Sequence, residues 1–519
     1  METGQQATTS PGRVSRAAGL AIGLVSGLVI TTFVVALRFA LNAPVYLEIM
    51  ADGLTRATPP SVFDFVLTHL QVSAKPLMFG GLLAGQVLAG GGLGMLYVRY
   101  SAKLPFSERQ PWHRGLLIGS SLWLPLMVVV TPIAGGGAFG SSLPNGPWRY
   151  LFTSFLALTA YGLSLAQLHS LALARKEGRQ DMGRRRLLKM AAIVAILAAV
   201  GGLAVRAIAR GASQVSPSRV FGNAGMLPPE ITPNDQFYEV SKNIINPRVD
   251  ATTWKLEITG NLGNAYSLSY DELKALPWQE QYVTLTCISN NIGGDLVSNA
   301  LWQGVPLKLV LERAKLLPAT ARLAFFAADG YVDSFPVERA MQENVLVAYL
   351  MNGEPLSDAH GFPARLIVPG LYGMENVKWL ARIEPVPANF RGYWQQRGWA
   401  DTAVINTMSR VDVPSYGAVV APQETLVGGV AFAGDRGVTR VEVSTDGGVS
   451  WHPAEVRKAL SPYTWVLWTR AWTPPSAGPY TITVRATDGA GQTQTMVVQD
   501  SLPDGATGYH SVVVSVQEA

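Results

Sequence analysis

Five apolar stretches crowd into the first 210 residues, at about 17–41, 75–98, 115–133, 148–173 and 187–208. Each approaches the twenty or so mostly apolar residues that a helix needs to cross a bilayer. The basic residues between them sort by side. Arg13 and Arg16 precede the first stretch, Arg99, Lys103, Arg109 and Arg114 separate the second from the third, and the loop at 134–147 carries no charge. Arg175, Lys176, Arg179, Arg184, Arg185, Arg186 and Lys189 separate the fourth from the fifth. By the positive-inside rule the N-terminus is cytoplasmic, and the chain beyond about residue 210 is extracytoplasmic, on the periplasmic side of an inner membrane. The first stretch is not read as a cleaved signal, because no small-residue cleavage site precedes a soluble domain and further spans follow.

Composition agrees with a chain that is part membrane, part soluble. Charged residues are 15% and hydrophobic ones 48% of the 519, and the mean hydropathy is +0.19. The surplus apolar content sits in the first 210 residues. A net charge of +5 invites nucleic acid, but the basic residues flank apolar segments instead of interleaving with aromatics, so no nucleic-acid partner is expected. A b-type haem between helices needs axial histidines at matching depth. His113 and His169 fall at the cytoplasmic ends of their stretches and His69 near the outer side, and haem b is not expected. Gly80-Gly81, Gly85 and the Gly90 to Gly94 run suit close helix packing in an anchor that could admit quinone.

The run Arg184-Arg185-Arg186-Leu187-Leu188-Lys189 resembles a twin-arginine export signal placed internally, and fits equally a positive flank that stops transfer. Residues 211–236 are rich in Ser, Pro and Gly and read as a linker. From 237 to about 400, short strands (254–259, 282–286, 322–327, 364–368) mix with helical pieces such as 307–314, and Ser269-Tyr-Asp-Glu272 marks a helix start, which suggests an α+β domain. From 401 to 519, strands at 438–444, 465–469 and 480–486 with Asp-Gly turns read as an immunoglobulin-like β-sandwich. The fold class expected is therefore multi-domain: an N-terminal α-helical transmembrane bundle of about five spans (1–210), the linker, an α+β domain, and the sandwich.

The one cysteine of the chain, Cys287, directly follows the β-branched run 282–286 and precedes Ile-Ser-Asn-Asn-Ile-Gly293-Gly294. A thiol at a strand end, followed by polar residues and glycine, is aimed at a loop or cleft. By itself it is more often a small buried hydrophobe than a thiolate ligand or nucleophile. A single cysteine builds neither a disulfide nor a structural zinc site.

Further blocks follow in order: Leu301-Trp302-Gln-Gly304-Val-Pro306-Leu307, Tyr331-Val-Asp-Ser334-Phe-Pro, His360-Gly361-Phe-Pro363-Ala-Arg365-Leu-Ile-Val-Pro369-Gly, and Asn376-Val377-Lys378-Trp379-Leu. Together with Cys287-Ile-Ser-Asn they resemble the sulfite oxidase family of molybdenum enzymes, over about residues 221–517. The resemblance implies a molybdenum atom carried by molybdopterin, with Cys287 as its one protein ligand. A thiolate suits such a soft centre, and one protein ligand leaves a position open for oxygen transfer. It implies Arg365 and Lys378 at the pterin phosphate, His360, Asn376, Val377 and Asp329 at further cofactor contacts, and Glu239-Val240-Ser241-Lys242-Asn243 as the first cofactor-binding stretch. Tyr331 matches the tyrosine beside the metal-bound oxygen, and the 401–519 domain a dimerisation domain that allows a homodimer. Beside such a domain, which must fold around its cofactor before export, the twin-arginine reading of residues 184–189 is favoured.

Departures concern the substrate. Ser241 and Lys242 stand where sulfite-oxidising members place an arginine, Ile-Ser-Asn-Asn-Ile follows the cysteine where they carry Ala-Gly-Asn-Arg-Arg, and Val466 replaces a further arginine. A desolvated dianion needs cationic partners. The function expected is a membrane-anchored molybdopterin oxidoreductase that transfers oxygen on sulfite or another small sulfur or oxo compound. A sulfoxide reductase of the methionine sulfoxide reductase type is an alternative, as is a non-enzymatic tethered binding protein. Neither a cytochrome b5 domain nor a Cys-x-x-Cys-His motif is present, so electrons are expected to leave through a cytochrome or quinone partner.

Overall fold

The computed structural model describes residues 14–41, 45–59, 62, 74–107, 110–143, 147–176, 227–243 and 246–517. The chain divides into two compact units, 1–214 with 243–245, and 215–242 with 246–519.

The first unit is helical: α1 (Arg16–Leu41), α2 (Tyr46–Ala57), α3 (Ala74–Tyr100), α4 (Pro111–Pro125) and α5 (Trp148–Lys176). Pro111 opens α4, where its missing N–H would have no helical partner anyway. At Pro125 the helix passes into a π turn, Leu126–Val130, and ends at Thr131–Ile133. Among the described residues, four segments are long and apolar enough to cross a membrane: Arg16–Arg38, Leu77–Lys103, Pro111–Ile133 and Trp148–Ala174. The fifth expected span, 187–208, and the arginine run before it lie outside the described residues. Where α1 meets α3, a Cβ on Gly23 would strike the backbone of Gly90, Gly91 and Gly94, so these helices touch main chain to main chain. Among the described residues, nothing lies within 4 Å of a Cβ built on Gly80, Gly81, Gly85 or Gly92. His169 is buried edge-on against Tyr97 at 4.9 Å, and His113 stacks on Phe106 at 5.4 Å.

The second unit begins with ten strands: β1 (Lys255–Ile258), β2 (Tyr266–Ser269), β3 (Gln279–Thr286), β4 (Val297–Pro306), β5 (Arg322–Ala327), β6 (Val332–Pro336), β7 (Leu346–Met351), β8 (Glu354–Pro355), β9 (Arg365–Ile367) and β10 (Leu380–Val386). One sheet runs β2-β1-β10-β5-β6 and another β3-β4-β7-β8, with β9 against β7. The α+β expectation agrees with helices set between these strands. Ser269 caps the helix Tyr270–Ala275 through a reciprocal bond with Glu272, and Leu307–Ala314 buries Leu307, Val310, Leu311 and Ala314 at helical spacing. Residues 227–236, expected as linker, are built into the unit: Thr232 N–H donates to Asn299 O at 2.8 Å, and the Trp465 indole donates to Glu230 O at 3.0 Å.

Nine more strands follow: β11 (Met408–Val413), β12 (Val419–Val420), β13 (Thr425–Phe432), β14 (Val438–Ser444), β15 (His452–Pro453), β16 (Glu455–Val456), β17 (Val466–Trp472), β18 (Gly478–Asp488) and β19 (His510–Val516). They form sheets β11-β13-β17-β16 and β12-β19-β18-β14-β15. Both contribute to one core, with Val427, Trp468 and Val411 from the first meeting Val441, Ile482 and Val514 from the second. Alternating inward residues on two sheets produce such a layered core.

Candidate active site

Cys287 stands at the end of β3, where the strand hands over to the ten-residue loop 287–296 before β4. The loop is closed by Cys287 N–H to Leu296 O at 2.9 Å and by Leu296 N–H to the Asn290 side chain at 2.9 Å. The thiol is 8% exposed and lies 3.0 Å from the Ser289 hydroxyl. Its surroundings are phenolic. A Cβ on Gly373 would meet the Tyr238 hydroxyl, the Thr286 carbonyl and Cys287, so glycine there lets the 373–378 strip approach the cysteine. Burial pushes the Tyr372 phenol up to about 12, and Cys287 contributes in the same direction. Burial and Cys287 also push Tyr238 up, while Arg365 opposes. Tyr238 therefore stands within electrostatic reach of both the thiol and the guanidinium.

The basic group comes from the turn before β9 and from the 373–378 strip. Gly361 holds φ +103°, and a side chain there would press on Lys378, so the His360 turn closes against the lysine. His360 is 5% exposed, its Nε2 is 2.9 Å from Asn234 O, and its ring meets Phe237 edge-on at 5.4 Å. Burial lowers its pKa to about 4, the bond to Asn234 opposes, and the charges of Lys378 and Arg365 add to the lowering, so the imidazole is neutral. Arg365 is 4% exposed and donates to His360 O at 3.2 Å and Asn376 O at 3.1 Å, with its carbon 5.1 Å over the Trp302 ring. No carboxylate among the described residues pairs with it, and burial lowers it to about 10. Lys378 donates to Ala359 O at 2.9 Å and lies over Trp379.

A second arm carries the remaining expected residues. Lys242 and Asp329 face each other at 4.0 Å, both largely buried, and Lys242 lies 5.7 Å over Tyr393. Asp329 accepts from Tyr331 N–H at 2.9 Å, and the Tyr331 hydroxyl is 2.6 Å from Asp333 and 3.0 Å from Met374 O. The two arms thus join on the strip beside Cys287.

The other expected residues are placed as follows. The Asn376 amide is occupied by Val368 N–H and the carbonyls of Leu371 and Tyr372, so what it offers Arg365 is its own carbonyl. Val377 is 1% exposed and belongs to the core. Glu239 is held by Asn246, Val240 is 39% exposed, Ser241 is half-buried, and Asn243 groups with the first unit. Tyr238 and Tyr372 were missed by sequence reasoning. The aromatic pair Phe237-Tyr238 directly before the first expected stretch was a usable signal; nothing around Tyr372 was.

A molybdopterin ends in a phosphate and needs a thiolate at its metal, and the donor set fits both needs. A buried guanidinium without a carboxylate is costly by several kcal/mol unless an anion joins it. Arg365 is such a group, and it donates to Asn376 O on the 373–378 strip, whose other end, at Gly373, approaches the only thiol of the chain.

Comparison with known proteins agrees. Residues 243–394 match the oxidoreductase molybdopterin binding domain, and residues 400–516 match the Mo-co oxidoreductase dimerisation domain. The chain belongs to the sulfite oxidase family of molybdopterin-dependent oxidoreductases. It is 33% identical to the mitochondrial sulfite oxidase of Mus musculus over 288 residues, 46% of this chain and 52% of that protein. It is 32% identical to the sulfite oxidase of Gallus gallus over 288 residues, 46% of this chain and 62% of that one. With nitrate reductase [NADH] 2 of Phaseolus vulgaris it shares 29% over 286 residues, 43% of this chain and 32% of that enzyme. The chain spans about half the length of the mammalian relatives it matches.

Proposed function

We propose that this chain is a membrane-anchored, molybdenum-dependent oxidoreductase that transfers an oxygen atom, coupled to two-electron redox, on sulfite or another small sulfur or oxo compound. The observation that carries the reading is a buried Arg365 that no carboxylate among the described residues pairs with, bonded to the same 373–378 strip that approaches the lone thiol at Gly373. A tethered binding protein would have no use for that arrangement. The cofactor, when bound, supplies the exchangeable oxygen and the electron store.

The residues divide the remaining tasks. Cys287 offers one thiolate and leaves the rest of the metal open. Arg365 presents a planar fork and Lys378 a point charge to the phosphate end. His360 stays neutral and anchors the turn to Asn234. Tyr238 and Tyr372 crowd the thiol and keep bulk water off it. The four apolar segments, together with the fifth stretch expected at 187–208, anchor the chain with its N-terminus in the cytoplasm, so that an odd number of crossings leaves the catalytic domain on the periplasmic side, and the immunoglobulin-like domain pairs two copies. Electrons pass to a cytochrome or quinone.

A Cys287→Ser variant of the full-length protein tests this through elemental analysis, pterin content and sulfite turnover. Turnover is expected to vanish while pterin is largely kept, because Arg365 and Lys378 remain. Undiminished turnover in the variant would rule out the thiolate's role.

A further inference from the structure

A buried polar knot lies behind Tyr331, formed by Asp333, Gln395 and Glu375. Asp333 and Glu375 are both 0% exposed. Asp333 Oδ1 accepts from Ser334 N–H at 2.8 Å and from the Gln395 amide at 2.7 Å, and Oδ2 accepts from the Tyr331 hydroxyl at 2.6 Å. Glu375 Oε1 accepts from the same Gln395 amide at 3.1 Å, but Glu375 Oε2 has no donor. The two carboxyl groups therefore meet on one amide nitrogen, and the orphaned Oε2 lacks a hydrogen that a second ionised carboxylate, which only accepts, cannot supply. Nearby cations are engaged elsewhere: Arg322 with Asp401 at 2.7 Å, Arg391 with Asp401, Lys242 with Asp329, and Arg397 with the Tyr393 carbonyl. Two adjoining, desolvated negative charges cannot both persist there, and one proton on Glu375 satisfies the orphaned oxygen and removes one charge.

We propose that Asp333 and Glu375 share one proton at neutral pH and thereby set the direction of the Tyr331 hydroxyl hydrogen, so that Tyr331 is an acceptor toward the cofactor pocket until a second proton reaches Asp333. The pocket's place rests on the function proposed above; the shared proton does not. With one proton in the pair, Asp333 is a carboxylate and holds the phenol hydrogen. When a second proton from solvent lands on Asp333, the pair goes from a charge of −1 to neutral and Oδ2 no longer needs that hydrogen. Tyr331 keeps its own proton throughout and turns it toward Met374 O or the pocket. Burial raises both carboxyl pKa values, Glu375 well above its ordinary range, and the Tyr331 and Gln395 bonds to Asp333 moderate its rise. Asp333 and Glu375 are positioning residues, because they act through Tyr331.

The test uses the purified full-length protein and two readouts independent of turnover. Infrared spectra at pH 7, with ordinary and 13C-labelled glutamate, should show a protonated carboxyl band that moves with the label and is lost in Glu375→Gln. Absence of a protonated glutamic acid band in the wild-type protein would overturn the proposal, whether or not the variant folds. The second readout is the 13C shift of the Tyr331 ring carbon bearing the hydroxyl, assigned by its loss in Tyr331→Phe. It should titrate on the acid side, titrate at lower pH in Glu375→Gln, where the new amide donates to Asp333, and not titrate in Asp333→Asn. A Tyr331 shift that is flat in the wild type, or titrates identically in whichever of the two variants folds, would also overturn it. Failure of sulfite turnover with both signatures present would count against the proposed function and leave the shared proton standing.

Discussion

Arg410 Nη1 donates to the carbonyl of Gly294 at 2.7 Å, so the first strand of the C-terminal domain grips the loop that Cys287 opens. The same guanidinium holds Asp412 at 2.7 Å, both side chains being 6% exposed, and His510 packs against Gly293. The β-sandwich is therefore part of the machinery that places the thiol, whatever else it does.

Removing Arg410 should be costly in a specific way. Arg410→Met leaves Asp412 buried without its partner and frees the Gly294 carbonyl. A loss of about 3–5 kcal/mol is expected for a broken buried pair. Chemical denaturation measures it, and adding Asp412→Leu should recover much of the loss, since the uncompensated charge goes too.

Arg365→Lys keeps the charge and loses the planar fork. The bonds to His360 O and Asn376 O cannot both be reproduced by one ammonium. Molybdenum and pterin content are expected to fall several-fold, more than in Lys378→Met, whose side chain is only half-buried.

Two histidines, one buried and one half-buried, predict an acid-side loss of stability. His360 and His510 are both lowered to about 4, each chiefly by burial. The unfolded chain takes up these protons first, near the ordinary value of 6.5. Their contribution is therefore complete above about 6.5 and lost as pH falls toward about 4. For His360 the full window is worth on the order of 3 kcal/mol. Thermal unfolding of cofactor-free protein from pH 8 to pH 4 should show the decline, and His360→Gln should flatten part of it. An equal slope in that variant would show that His360 is not buried neutral.

Gly361→Ala tests the turn that brings His360 to Lys378. A left-handed φ and a press on the lysine both oppose a side chain. A cost of about 1–3 kcal/mol is expected, with pterin content falling alongside stability. Gly353→Ala, also at positive φ but facing open space, should cost less and leave the pterin in place.

Local pattern was enough for much of this molecule. The strands at 322–327 and 438–444, the Ser269–Glu272 cap and the helix at 307–314 could be read directly, because alternation, helical spacing and capping act between residues a few positions apart. The motif series also marked Cys287, His360, Arg365 and Lys378 before any contact was known. Tertiary structure alone decided which groups meet. Tyr238 reaches Cys287, Arg410 reaches Gly294 across 116 positions, and Glu375 joins Asp333 around Gln395. Burial and pairing of polar groups depend on which distant segments the fold brings side by side, and no periodicity in the chain encodes them.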